Sequence, residues 1–404
     1  MICIAGKNNI AVDIMQYLLD KKGISPEEIV ICCNKTETGD NKWQRSLRFF
    51  AKKNNIKEVQ LEELYEQKDL LFLSLEYDKI INPFLFESKK LYNIHFSMLP
   101  KYKGMYTSAM PLLNNEQWTG VTFHEIDRGI DTGNILLQKR FRIEADDTSR
   151  DVYLKYIKYG TSLVKDFIDL YFSNWCSLEV KPQNFMIASY YSRNTLDYGN
   201  LVVDLNQTAI NIRNQIRAFN FREYQIPEIY GKSITQTQIT NIPSKDKPGT
   251  IIWKTDDRIE IASIDYNIVL YIDQFENILE ACKNGNLEEL KKIKNLSFYV
   301  NQQNQYGWTP LMVAVYNDCF EIVQLLLTEN ADISLVNYNG ANLLMYAKEA
   351  FLKFNDSRLF EQFYHLGLDL EQKDYSGNSL IDYCKKDGIG KIGMVEIYKE
   401  GIST

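Results

Sequence analysis

Histidine is nearly missing from this chain: its 404 residues include only His95, His124 and His365. Imidazole titrates close to neutral pH and is the commonest general base, so the search for one is confined to three positions. Seven cysteines form no CxxC pair and no even framework, which excludes a disulfide-stapled fold, gives no metal site and points to a reducing, cytoplasmic compartment. The first turn, Gly6-Lys7-Asn8-Asn9, lacks GxGxxG, and with it the fingerprint of a dinucleotide-dependent dehydrogenase. No apolar run approaches the roughly 20 residues of a membrane span, and Met1–Ala5 is too short for a signal core. Basic charge is also in deficit, 46 Lys and Arg against 53 Asp and Glu. That balance argues against a nucleic-acid partner, whose affinity comes from clustered cations.

What is present is length enough for two or three domains. From Met1 to about residue 172, apolar runs at Ile2–Ala5, Ile29–Cys33, Leu70–Leu75 and Tyr92–His95 alternate with helical periodicity such as Ala11, Ile14, Met15, Leu18 and Leu19. This predicts a parallel α/β sheet over 1–183, with ligands beyond the carboxyl ends of its strands. Thr148-Ser149-Arg150-Asp151 predicts a capping box opening a helix toward Phe172. Lys181-Pro182-Gln183 breaks the pattern. Residues 184–273 read as a small, mostly β subdomain with short alternating runs. In 274–404, glycines at 307, 340 and 377 recur at intervals of 33 and 37, the first within Gly307-Trp308-Thr309-Pro310-Leu311. That turn and period resemble ankyrin repeats, about three of them, making this an all-α domain.

The chemistry gathers at Asn93-Ile94-His95, which alternation places on one face of a strand, and at Asp131, within about 40 residues, a spacing a βαβ unit brings together. His95 can accept a proton, Asp131 can pair with the imidazole, and the Asn93 amide can donate to an oxyanion. This trio suits acyl transfer to an amine. His124 reads as a structural histidine outside the mechanism.

Asn93-Ile94-His95, Ser97-Met98-Leu99-Pro100, Tyr102-Lys103-Gly104, Gly120-Val121-Thr122 and Asp131-Thr132-Gly133 together resemble the folate-dependent formyltransferases, over roughly residues 1 to 180. The resemblance implies a Rossmann-like formyltransferase domain, the catalytic trio Asn93, His95 and Asp131, and N10-formyltetrahydrofolate as co-substrate. It places the pterin at Leu75, Tyr77, Lys79, Ile80 and Ile81, with Ser97, Met98 and Leu99 from the following loop, and near Ile126 and Asp127. Met98 stands where the family usually has leucine, a volume-conserving change.

The acidic charge and the repeats, in place of a basic tRNA-binding domain, favour the sugar branch of that family. The expectation is formylation of a dTDP-linked amino-dideoxyhexose for surface polysaccharide, the 3-amino sugar ahead of the 4-amino, by a homodimer. Lys7, Arg150, Phe221, Arg222 and Tyr224 are candidates for the diphosphate and base. Alternatives are formylation of methionyl-tRNA, and an ankyrin interaction scaffold on an inactive catalytic domain. Trp308, with Tyr306, Tyr316 and Tyr338, is expected to be exposed in its turn and to stack on a second planar ligand.

Overall fold

Every residue of β1 (Ile2–Gly6) is buried, because the sheet it centres is covered on both faces. The computed structural model describes residues 1–173 and 179–387. In chain order the first strands are β1, β2 (Ile29–Cys33), β3 (Lys57–Glu58), β4 (Leu71–Leu75), β5 (Lys90–His95), β6 (Lys103–Gly104), β7 (Trp118–Glu125) and β8 (Ile135–Arg142). Seven of them form one sheet in the order β3-β2-β1-β4-β5-β7-β8. Alternate side chains of β1 enter different cores: Ile2 and Ile4 join the large cluster with Ile14, Leu18 and Phe167, while Cys3 and Ala5 join a smaller one with Cys32 and Phe72. This is the period of two expected of a doubly covered strand.

The sheet is mixed, where the sequence pattern predicted a parallel one. Strands β1 to β5 run parallel, but β7 is antiparallel to β5 and β8 to β7. A parallel return needs a crossover of a dozen or more residues, usually helical. Between β5 and β7 the chain supplies β6 and the four-residue helix Met110–Leu113 but no crossover helix, and it re-enters the sheet at the end where β5 leaves it.

The predicted capping box is present: Thr148 accepts from the Asp151 amide and opens the helix Ser149–Phe172. That helix buries Val152, Tyr156, Leu163 and Phe167 against the sheet. Beyond it, β9 (Tyr190–Tyr191) pairs with β6. A five-stranded antiparallel sheet follows, made of β10 (Glu228–Ile229), β11 (Lys232–Pro243), β12 (Ile251–Lys254), β13 (Arg258–Ile261) and β14 (Tyr266–Ile272). Its buried residues Ile234, Ile259 and Leu270, and Ile212 and Ile216 of the helix Ala209–Phe219, belong to the same hydrophobic cluster as the first sheet. Residues 184–273 therefore fold in one compact unit that comprises Met1–Asp40 and Arg45–Asp273.

The second unit runs from Gln274, with the short segment Asn41–Gln44 assigned to it, and its core is helical. Thr309, Asn342 and Ser379 each cap the helix that follows, accepting from the amides of Met312, Met345 and Asp382. The later repeats thus change the letters but keep an N-cap oxygen, worth about 1 kcal/mol. Gly307 and Gly340 are left-handed, and a Cβ at either would strike a tyrosine of the next repeat, Tyr338 or Tyr375. Trp308 is partly buried and packed on the core, not exposed in its turn. Its ring neighbours are Tyr306, Tyr316 and Tyr346. The final part of the expected repeat domain, 388–404, lies outside the described residues.

Gly6 is one position at which the first sheet tolerates no side chain. Its φ is +155°, and an added Cβ would stand 1.8 Å from the Leu75 carbonyl oxygen of β4. Gly6→Ala should lower the thermal midpoint of the first unit by several degrees, read by circular dichroism; an unchanged midpoint would show that β1 and β4 can separate freely.

Candidate active site

The antiparallel pairing of β5 with β7 builds the site. Asn93 lies directly opposite His124, and His95 opposite Thr122, so cross-strand neighbours share a face. Asn93 Nδ2 is 3.0 Å from His124 Nε2, and His124 Nδ1 is 2.7 Å from the Glu125 carbonyl. The carbonyl can only accept, so Nδ1 carries the proton and Nε2 accepts from the Asn93 amide. One Asn93 N–H is thereby committed and the other is left over.

His95 is oriented by backbone. Its Nε2 lies 2.8 Å from the Tyr102 carbonyl and donates to it, which leaves the lone pair of the neutral ring on Nδ1. Asp131 Oδ1 stands 3.4 Å from that Nδ1 and 3.7 Å from His124 Nε2. The other oxygen, Oδ2, accepts from the Gly104 amide at 2.8 Å. Burial disfavours the Asp131 carboxylate, but the Gly104 bond, and the attraction of His95 and His124 whenever those rings carry a proton, outweigh it, holding the group well below the usual carboxylate range. Asp131 is therefore an anion throughout the neutral range.

Asp131 belongs to the β7–β8 hairpin loop and not to a strand end of a βαβ unit, a correction that follows from the mixed sheet. Its backbone is left-handed, φ +54°, and the loop is clamped by a residue that sequence reasoning read only as a break. Gln183 Nε2 donates to the carbonyls of Asp131 and Gly133 at 2.9 and 2.7 Å. Its neighbour Lys181 exchanges two backbone bonds with Ile135 of β8, which brings the glutamine to the loop.

These groups open into a cavity of about 650 Å³, of the size that holds small ligands. Its wall includes Asn93, His95, His124 and Asp131, and also Lys7, Tyr77, Lys79, Ile80, Ile81, Ile126 and Asp127. Of the other expected positions, Leu75 is buried in the main core, and its carbonyl accepts from the Lys7 amide. Ser97 is fully buried with its hydroxyl on the Lys101 carbonyl, the Leu99 amide bonds to Thr122, and Met98 sulfur lies beside Gly120 of β7. The 97–99 loop is thus stitched to β7 and forms no part of this cavity's wall.

Arg150, Phe221, Arg222 and Tyr224 are also off that wall. Arg150 is paired with Glu223, and Arg222 grips Asp273 through both terminal nitrogens. Phe221 is buried and its ring lies 4.8 Å from that of Tyr224, which is exposed. Cavity residues to which sequence reasoning assigned no role of their own include Glu76 and Arg193. His124 was seen and set aside; the signal for it was its register opposite Asn93, which only the direction of β7 supplies. No cluster of His, Cys, Asp and Glu that could hold a metal occurs among the described residues.

Gln183→Leu removes two hydrogen bonds and strands two carbonyls, each costing about 1 to 3 kcal/mol. Its urea midpoint should fall accordingly; a wild-type midpoint would exclude the clamp.

The formyl transferase family model matches residues 12–166, and an ankyrin-repeat model of three copies matches 278–374. A methionyl-tRNA formyltransferase of Fervidobacterium nodosum is 32% identical over 167 residues, 41% of this chain and 52% of its own. The chain spans between half and two thirds of the length of several such curated relatives. Two solved structures align further. The sugar 3N-formyl transferase WlaRD, solved with dTDP and 5-N-formyl-THF, is 42% identical over 67% of this chain and 97% of its own, with a TM-score of 0.62. The N-formyltransferase from Helicobacter canadensis, solved with folinic acid and dTDP-3-aminofucose, is 41% identical over 67% and 99%, at 0.61. An amide, two imidazoles and a buried carboxylate around one cavity, in a chain two thirds of which aligns with almost the whole of both structures, put this chain in the formyltransferase family, among the sugar N-formyltransferases.

Proposed function

We propose that this enzyme transfers a formyl group from N10-formyltetrahydrofolate to the amine of a dTDP-linked amino-dideoxyhexose, the 3-amino-3,6-dideoxyglucose type ahead of the 4-amino-4,6 type. The observation that carries the reading is the joint placement of Asn93, His95 and Asp131 on the cavity wall. WlaRD is named a 3N-formyl transferase, and the Helicobacter enzyme was solved with a 3-amino sugar; both favour the 3-amino acceptor. We extend the proposal to a homodimer serving surface polysaccharide synthesis in the cytoplasm. No helix among the described residues is long and apolar enough to cross a membrane.

In this mechanism the acceptor amine attacks the formyl carbon and its proton passes to His95 at Nδ1, the nitrogen carrying the lone pair; as the tetrahedral adduct collapses, the C–N10 bond breaks and His95 returns that proton to N10 of the departing tetrahydrofolate. The resulting imidazolium is matched on both sides, by the Tyr102 carbonyl and by Asp131. Asp131 thus sits beside the basic nitrogen, and the backbone carbonyl holds the tautomer. The uncommitted Asn93 N–H donates to the developing oxyanion, a contact worth about 3 kcal/mol. His124 keeps the Asn93 amide from flipping.

Tyr77, Ile80, Ile81 and Ile126 offer an apolar wall for the pterin, with Lys79 and Asp127 at its edge. On the nucleotide side, Lys7 is joined at the cavity by Arg193, whose guanidinium makes no ion pair among the described residues. Arg150 and Arg222 would have to leave carboxylates to meet a diphosphate, and act in this reading by holding Phe221 and Tyr224 in place for the base. A second ligand at Trp308 remains a proposal, supported by its contacts with three tyrosines.

Incubating the full chain with folate donor and dTDP-3-amino or dTDP-4-amino sugars, read by product mass, tests the reading. His95→Asn should lower kcat at least about a hundredfold while dTDP still binds; retained turnover would refute the base. His124→Leu should lower kcat about tenfold or more with both KM values little changed, and His124→Gln, which keeps an acceptor toward Asn93, should recover most of the loss. Methionyl-tRNA formylation, the activity named for curated relatives, demands steeply salt-dependent tRNA binding in a filter assay. Trp308→Ala should remove one binding event from calorimetric titration with the nucleotide sugar; unchanged stoichiometry would leave the repeats without that site.

A further inference from the structure

The carboxylate of Glu76, on the cavity wall, has no part in the mechanism above. Glu76 follows the last residue of β4, where the strand order reverses between β1 and β4, the point at which open α/β sheets take up ligands. Its backbone is left-handed, φ +61°, and so is that of its partner Asn8, φ +68°. Non-glycine residues in that region cost of order 1 kcal/mol or more each, and persist where the surrounding structure holds them. Here it does: Asn8 Nδ2 donates to Oε2 at 3.0 Å, the Tyr153 hydroxyl reaches Oε1 and Oε2 at 2.9 and 3.0 Å, and Asn34 Nδ2 donates to the Glu76 carbonyl at 2.8 Å. Burial raises the Glu76 pKa against the bonds from Asn8 and Tyr153 and the charge of Lys7. A carboxylate offers about four lone-pair sites, so these donors leave it capacity to accept from a ligand.

Glu76 faces the acceptor side of the cavity. Its neighbour Tyr77 packs with Phe72 in the smaller cluster, on the face where the pterin is placed. Glu76 turns the other way, to Tyr153 of the helix Ser149–Phe172. The Tyr153 ring lies 5.7 Å from Phe221, and Lys7 precedes Asn8 in the chain; both belong to the proposed nucleotide side. Toward the reacting centre, β4 and β5 pair in register as far as Leu75 with Ile94, and one further step sets Glu76 level with His95. A molecule reaching from the nucleotide side to His95 passes this carboxylate.

We propose that Glu76 accepts a hydrogen bond from a ring hydroxyl flanking the amine of the acceptor sugar, and so selects which amino sugars present their nitrogen to His95. This rests on the formyl-transfer reading, which is tested separately by product formation in the wild-type chain. Glu76→Gln keeps the size and removes the charge. Its kcat/KM for the dTDP-amino sugar should fall about tenfold or more, the range of a hydrogen bond to a charged group. The folate KM should stay within about twofold, and calorimetric binding of dTDP alone should be unchanged. With an acceptor deoxygenated at the carbons flanking the amine, variant and wild type should perform alike. Tyr153→Phe, which leaves the carboxylate in place, should cost much less than Glu76→Gln. An unchanged acceptor kcat/KM in Glu76→Gln overturns the proposal. So does an equal loss with both acceptors, and so does loss of dTDP binding, which would make Glu76 a framework residue only. Absence of any formyl product from the wild type would instead fail the parent reading.

Discussion

The antiparallel contact of β5 with β7 is the constraint on which the rest of the site depends. It sets His124 against Asn93, sends the chain through the hairpin loop that carries Asp131, and leaves the ends of the parallel strands β1 and β4 open beside it. Had the chain crossed over to make another parallel strand, these side chains would not have met. The mixed sheet is thus the device that assembles two imidazoles, an amide and a carboxylate around one cavity.

Within that frame, backbone atoms do much of the orienting. The Tyr102 carbonyl holds His95, the Glu125 carbonyl holds His124, the Gly104 amide holds Asp131, and Gln183 holds the carbonyls on either side of Thr132. Such partners are fixed by the fold and lose no side-chain entropy when they bind, so the reactive groups are organised before substrate arrives. The buried anion at Asp131 is held by the Gly104 amide and stands beside two imidazoles, each of which it stabilises once protonated.

The repeat unit follows a different logic. Its regularity comes from caps and glycine turns that recur with different letters, which is why one turn matches the ankyrin pattern closely and the later two do not. Gly307 and Gly340 must stay small because a tyrosine of the next repeat lies over each. Trp308 illustrates what a turn motif leaves open: its position was legible, but its burial depended on the neighbouring tyrosines.

Much of the site was legible before any fold was known. Asn93 and His95 share a face by alternation alone, scarcity singled out the histidines, and Asp131 lay in a recognisable motif. The capping box at Thr148 and the break near Gln183 were equally local, since they depend on residues a few positions apart. Amino-acid order by itself therefore determined the strand and helix periods, the choice of Asn93, His95 and Asp131 as candidates and the glycine spacing of the repeats. Tertiary structure alone decided that β7 runs antiparallel, that His124 faces Asn93, that Gln183 clamps the Asp131 loop, and that Arg150 and Arg222 are tied to carboxylates. Each of these joins residues far apart in the chain, and strand direction and side-chain pairing across such distances are set by which surfaces pack, not by any local pattern.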